Sequence, residues 1–351
     1  PDIPDFAKYK TDKEEFMKRR AEAIGMKRGF DTARPVDPGL RIMAIRQMED
    51  HRRMILAGQA PYESNLISEA WMPIGPAPIP NGQTQFPPTT AVSGRVTAIA
   101  VHPANANIAY VGTAQGGLYR TTDGGTNWTP LMDNALSLAI GSVAISPSQP
   151  ETIYIGTGEP NFSADSYFGV GVYRIDNAST TANLSGPFNQ TAAAADIFTG
   201  RSIGKIIVHP SDPNTIFVAS TSGVGGIFSA GIAAGNRGIY RSTNATTASP
   251  TFTQIGVLPS PNNNFSVRDI SIDPLDPNIM VANLVASGGG IYRSTNALAA
   301  TPTFTNVLTF TGGTSDVTAE FAVHHTAGPD ATFYAATGFG GGRVYISVNG
   351  G

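Results

Sequence analysis

Glu159, Asn161, Asp165, Tyr167 and Phe168 stand close together in the stretch GEPNFSADSYFGVG, and Arg237 closes a second long stretch, SGVGGIFSAGIAAGNRG. Carboxylates, an amide, aromatic rings and a guanidinium are the mixture that grips a sugar or a peptide, because they offer hydrogen bonds of both senses beside flat apolar surface. The plainer reading is that Glu159 and Asp165 accept nearby backbone amides and close their own loops. A second set is Lys205, Asp269 and Glu320, each five positions ahead of a turn proline or its equivalent. Charges at one level of a repeated unit can meet, and Lys205 with Asp269 reads as a structural ion pair, since buried charges need partners.

Composition narrows the chemistry. The 351 residues contain no cysteine, which excludes a disulfide framework, a thiolate metal site and a cysteine nucleophile. The formal net charge of −3 gives no electrostatic footprint for nucleic acid, and no apolar run approaches the roughly 18 residues of a membrane span. The five histidines, His51, His102, His209, His324 and His325, show no metal-ligand spacing, so neither a metal nor a cofactor is expected.

The elements that must position these residues come in three parts. Residues 1–70 hold 13 of the 23 Lys and Arg residues and read as a helical arm: Thr11 and Glu14 form a capping-box pattern, and PGLRIMAIRQMEDHRRMILAG places Leu40, Met43, Ile45, Met48 and Ile55 at helical spacing before Gly58. Residues 71–93 form a Pro/Gly-rich connector. Residues 94–351 repeat. A short strand ending in a proline-type turn recurs at VTAIAVHP, VAISP, IIVHP, ISIDP and FAVHH. A second strand follows each, a third carries Tyr119, Tyr173, Tyr240, Tyr292 or Tyr345, and a fourth is seeded by Trp128, Phe188, Phe252 and Phe304. Four strands per unit at intervals of about 50 residues predict an all-β propeller of four-stranded blades, five of them visible and the last incomplete. The two long stretches then lie on the face formed by blade-to-blade crossings and the loops between second and third strands.

The third and fourth strands are joined by TTDGGTNW, in which Asp123 can accept turn amides, Gly125 can take a positive φ and Trp128 can fold back. Thr121, Asp123, Gly125 and Trp128 resemble the Asp-box, or bacterial neuraminidase repeat. Read with GRVTAIAVHP, IYIGTGEPNFSADSYFGVGVYR and the connector residues Trp71, Ile74, Gly75 and Pro76, the chain is similar to sortilin-like and glycosyl-hydrolase-like surface repeat proteins.

That resemblance implies an exported protein of the cell surface or extracellular space, and the two long stretches are expected to bind a protein or glycan partner on their shared face. The alternatives are a glycoside hydrolase of Asp-box propeller type and a structural component of a surface assembly. Sialidase chemistry would need an arginine clamp, and Arg95, Arg201 and Arg268 lie near blade openings without a motif that specifies them. Xyloglucanase-type propellers carry a catalytic Asp in the first-blade phrase T-D-x-G-G-x-Y-R, and here Ala114 holds that place. An incomplete fifth unit also leads us to expect further blades, from the same polypeptide or from a neighbouring subunit.

Overall fold

In a computed structural model the described residues are 19, 38–59, 94–161, 166–222, 237–256, 265–285, 289–310, 318–337 and 342–351. Five antiparallel sheets follow one another along the chain. Blade one is β1 (Val96–Val101), β2 (Ala109–Thr113), β3 (Leu118–Thr121) and β4 (Thr129–Pro130); blade two is β5 (Ile140–Ile145), β6 (Ile153–Thr157), β7 (Val172–Asp176) and β8 (Asn183–Phe188). Blade three is β9 (Ser202–Val208), β10 (Ile216–Thr221), β11 (Gly238–Ser242) and β12 (Thr253–Ile255); blade four is β13 (Ser266–Ile272), β14 (Met280–Val285), β15 (Gly290–Ser294) and β16 (Thr305–Thr309). Blade five has β17 (Ala319–His324), β18 (Thr332–Thr337) and β19 (Arg343–Ser347). The chain is thus an all-β, five-bladed propeller preceded by a helix. Trp128, Phe252 and Phe304 stand just before their outer strands, whereas Phe188 ends β8, so blade two turns differently.

Period-two alternation sends each blade's two faces to its two neighbours. Tyr110 and Leu118 of blade one pack with Ile153, Ile155 and Tyr173 of blade two. Tyr154 and Val172 meet Ile206, Val218 and Tyr240; Phe217 and Ile239 meet Ile270, Met280 and Tyr292; Val281 and Ile291 meet Phe333 and Ala335. At the ends of this series, Ile99 and Val101 of blade one, and Tyr334, Val344 and Ile346 of blade five, are exposed.

The tyrosine of strand three faces backward, and the arginine after it faces forward. Arg120 Nη1 donates to the Ala178 and Thr180 carbonyls, Arg174 Nη1 to those of Ala245 and Thr247, and Arg241 Nη1 to those of Ala297 and Ala299. Arg293 Nε donates to the Gly350 carbonyl. Each blade therefore grips the outer turn of the next, and at the equivalent place in blade five stands Ile346, which pairs with Tyr334 as the arginines pair with their β-partners.

The helix α1 (Pro38–Leu56) ends as expected at Gly58, whose φ of 66° lets the Gly58 and Gln59 amides reach the Ile55 and Met54 carbonyls. Its inward stripe differs from the expected one. Ile42, Ile45 and Ile55 are half-buried while Leu40, Met43 and Met48 are exposed, because only a narrow seam touches the crossing between blades one and two. Ile42 packs beside Leu131, Ala135 and Leu136, and Arg52 donates to Asn134 Oδ1. The expected first helix and the 71–93 connector lie outside the described residues.

Candidate functional site

Inner strands β1, β5, β9, β13 and β17 all begin on the crossing face, so residues at their starts surround the mouth of the central channel. Gly204 shows how tightly they meet, since a Cβ there would stand 2.2 Å from the Arg268 carbonyl oxygen. At this level Ser142 Oγ accepts the Ile206 amide and Asp269 Oδ2 accepts the Phe321 amide, so one position fastens neighbouring inner strands in two separate blades.

The two residue sets of the sequence converge here. Arg95 Nη2 lies 2.5 Å from Glu159 Oε1, which also accepts Asn161 Nδ2 at 2.7 Å. Asn161 Oδ1 in turn accepts Arg268 Nη2 at 3.3 Å, and Arg268 pairs with Glu320 at 3.1 Å. Lys205 Nζ stands 3.4 Å from Asp269 Oδ1. Charged groups of all five blades thus gather at this level, in a polar ladder from Arg95 to Glu320 and in a separate Lys205–Asp269 pair. Sequence reasoning treated Arg95 and Arg268 only as members of a hypothetical carboxylate clamp; in the structure each is joined to a carboxylate.

Burial divides these groups into floor and rim. The Glu159 and Asp269 side chains are 0% and 1% exposed, whereas those of Arg95, Lys205 and Glu320 reach solvent. Burial pushes the Asp269 carboxyl up to about 6; Lys205 counters this, Glu320 adds to it, and the Phe321 amide counters it again. Asp269 also accepts its neighbour Ile270's amide, so its oxygens are committed to the protein. Glu159 Oε2 is buried without a protein hydrogen-bond partner.

The remaining candidates do not join this ladder through their side chains. Tyr167 lies beneath the helix, with the Arg41 guanidinium 4.6 Å from its ring centre, an arrangement attractive to a cation. Phe168 is buried and its carbonyl accepts Ser137 Oγ, so its ring is packing and not open surface. Arg237 is held inward, where its Nη1 donates to Ser266 Oγ and burial lowers its pKa. Asp165 lies outside the described residues. Among the described residues, no group of three His, Asp or Glu side chains gathers where it could hold a metal.

The outer hairpin has the local geometry its residues imply. Thr121 Oγ1 donates to Asp123 Oδ1 and accepts the Gly125 amide, Asp123 accepts both the Asn127 amide and Asn127 Nδ2, and Trp128 Nε1 donates to the Gly125 carbonyl. Ser242 with Asn244, Ser294 with Asn296 and Ser347 with Asn349 repeat the first of these contacts. The hairpins lie on the turn face, away from the channel mouth.

No family model matches the chain. It is 25% identical over 208 residues to a probable oligoxyloglucan-reducing end-specific xyloglucanase of Neosartorya fischeri, covering 57% of this chain and 23% of that protein. It is 29% identical over 139 residues to a xyloglucanase of Hypocrea jecorina, covering 38% of this chain and 16% of that one. The matched spans are therefore less than a quarter of those curated relatives. Among solved structures, the GH74 xyloglucanase from Xanthomonas campestris aligns with a TM-score of 0.43 at 16% identity, over 71% of this chain and 35% of that one. The chain is a five-bladed β-propeller with low sequence similarity to xyloglucanases.

Proposed function

We propose that the crossing face binds a neutral polysaccharide, making this chain a carbohydrate-recognising propeller of xyloglucanase-like type that acts at the cell surface or outside the cell. The observation that carries this reading is the ladder from Arg95 through Glu159, Asn161 and Arg268 to Glu320. Its cations and anions alternate and compensate one another, so the mouth offers many oriented donors and acceptors with little net field. Such a surface suits uncharged polyols better than a polyanion, which would need an excess of positive charge. The similarity to two xyloglucanases supports a glucan as the ligand class.

A hydrolytic reading is favoured by the same similarity, but Ala114 occupies the place of the acid in the first-blade phrase, and Asp269 is tied to Lys205 and two amides. Binding is therefore the function assigned to these residues. Native affinity electrophoresis in gels containing xyloglucan, with polygalacturonate as an anionic control, tests it. Retardation by xyloglucan alone is expected, together with no release of reducing ends. Migration unaffected by xyloglucan would overturn the reading, and release of reducing ends would restore the hydrolase.

A further inference from the structure

Among the described residues blade five joins blade four through a smaller apolar seam than the other junctions have. Five buried side chains form it, Val281, Ile291, Ala331, Phe333 and Ala335, against twelve at the junction of blades two and three. Polar contacts carry correspondingly more of the attachment: Asn283 Oδ1 accepts the Ala319 amide, Asp269 the Phe321 amide, and Gly350 the Arg293 guanidinium.

Arg268 and Glu320 pair across the same junction at its mouth end, and His325 and Asp273 meet at the other end. His325 occupies the place where the other inner strands run into Pro103, Pro147, Pro210 and Pro274. Its Nδ1 is 2.6 Å from Asp273 Oδ1, and its Nε2 is 3.2 Å from the Gly328 carbonyl oxygen. Asp273 Oδ1 already accepts the Leu275 amide, and a backbone carbonyl only accepts. A neutral imidazole has one N–H and can serve one of these two oxygens; the imidazolium serves both. The charged groups facing the ring are Asp273 from blade four and Asp330 from the β17–β18 turn, both acidic.

We propose that His325 is a pH-operated latch, which as an imidazolium pins blade five to blade four through Asp273 and on losing its proton lets blade five loosen. The Asp273 side chain is 1% exposed and its Oδ2 has no protein hydrogen-bond partner, so deprotonation of His325, itself only 5% exposed, leaves a buried carboxylate without its counter-charge. The hydrogen bond to Asp273, then the Gly328 carbonyl, raise the imidazole above its ordinary value against the opposing effect of burial, and the charges of Asp273 and Asp330 add to the rise. A folded-state pKa above the unfolded one means stability that is complete below about 6.5 and is lost as pH rises through the folded value. Asp269, at the opposite end of the same junction, has its carboxyl raised by burial and so acts in the same direction. Mild acid tightens the junction and alkali relaxes it.

The wild-type chain labelled with 15N-histidine reports the latch directly, the His325 ring being assigned by its loss in His325→Gln. Both ring nitrogens should carry protons at pH 6, with a midpoint above about 6.5. Amide protection in β17–β19, corrected for intrinsic exchange, should fall about tenfold between pH 6 and pH 8.5, while β6 and β10 hold theirs. His325→Gln should remove that dependence. A singly protonated ring at pH 6, pH-independent protection of blade five, or an unchanged dependence in His325→Gln would each overturn the proposal.

Discussion

Arg174 of β7 reaches across a blade boundary to place Nη1 2.8 Å from the Ala245 carbonyl, in the outer turn of blade three. The same nitrogen lies 2.8 Å from the Thr247 carbonyl, and Nε pairs with Asp176 Oδ2 at 3.0 Å. One side chain thereby ties its own strand to a neighbour's turn. Arg174→Met keeps much of the stem's packing but leaves two carbonyls without their charged donor. With charge-assisted hydrogen bonds contributing about 1.5–3 kcal/mol in total, the substitution should destabilise by about 2–3 kcal/mol, read by urea unfolding. A loss under about 0.5 kcal/mol would mean that the grip is incidental.

Asp123 is held well below the ordinary carboxylate range, at about 2, chiefly by the Asn127 amide, then by Asn127 Nδ2 and Thr121 Oγ1, against a small opposing effect of burial. A depressed folded-state pKa gives stability that is present above the unfolded value near 4 and lost as pH falls toward 2. Asp123→Ala should lower the melting temperature at pH 7 by a few degrees, and the difference from wild type should shrink below pH 3. Xyloglucan retardation should be unchanged, because the hairpin is on the turn face. A stable Asp123→Ala protein that no longer binds would move the site to the hairpin.

Lys205 and Asp269 give a pH dependence of the opposite sign. Because burial raises the Asp269 carboxyl to about 6, folding becomes less favourable as pH rises through that value. Lys205→Met removes the countering cation and should cost about 1–2 kcal/mol at pH 8, less than a fully buried pair because Lys205 is partly solvated, and clearly less at pH 5. Asp269→Asn should flatten the dependence between pH 5 and pH 8. Equal losses for Lys205→Met at both pH values would contradict the burial argument.

Gly204→Ala tests the close approach of β9 to β13. A methyl group 2.2 Å from the Arg268 carbonyl oxygen forces backbone to move, with an expected cost of about 2–3 kcal/mol. It should also weaken binding of xyloglucan, since Arg268 belongs to the ladder. Wild-type stability would show that the two inner strands are not held in contact.

Arg268→Ala and Asn161→Ala separate positioning from packing at the mouth. Each breaks the ladder at its 3.3 Å link between blades two and four. Asn161→Ala removes an exposed amide and should leave thermal stability near wild type while reducing retardation by xyloglucan severalfold. Arg268→Ala should do the same with some added loss of stability, because it also releases Glu320. Full binding by both variants would place the ligand elsewhere.

Much of the fold is legible because its determinants are local. Alternation, the proline turns and the strand-three tyrosines mark the strands, and the Gly58 stop marks the helix end. The helix stripe was misread because Leu40, Met43 and Met48 share helical spacing with Ile45 and Ile55, and only the narrow crossing decides which side is covered. The expected Lys205–Asp269 pair is present, but the ladder from Glu159 through Asn161 to Arg268 depends on which blades face one another across a channel, which no local pattern encodes. The forward arginines were visible in GLYR, GVYR, GIYR and GIYR, yet tyrosine, the obvious aromatic, drew the structural reading. Phe168 looked like a ligand aromatic because a long stretch near a turn suggests surface, whereas its own loop folds it inward.

The four arginine grips all point the same way along the chain, each from an earlier blade to the turn of a later one. That gives the propeller a polarity under load. Force applied at blade five pulls first on the turn held by Arg293, and blade five can leave while the grips of Arg120, Arg174 and Arg241 remain made. Force applied at blade one must instead strip Arg120 from a turn that blade two still supports from behind. Load on blade five should therefore release that blade alone, whereas load on blade one must break a grip on a turn that its neighbour backs, so the direction of the arginines decides where a nearly repetitive array gives way first.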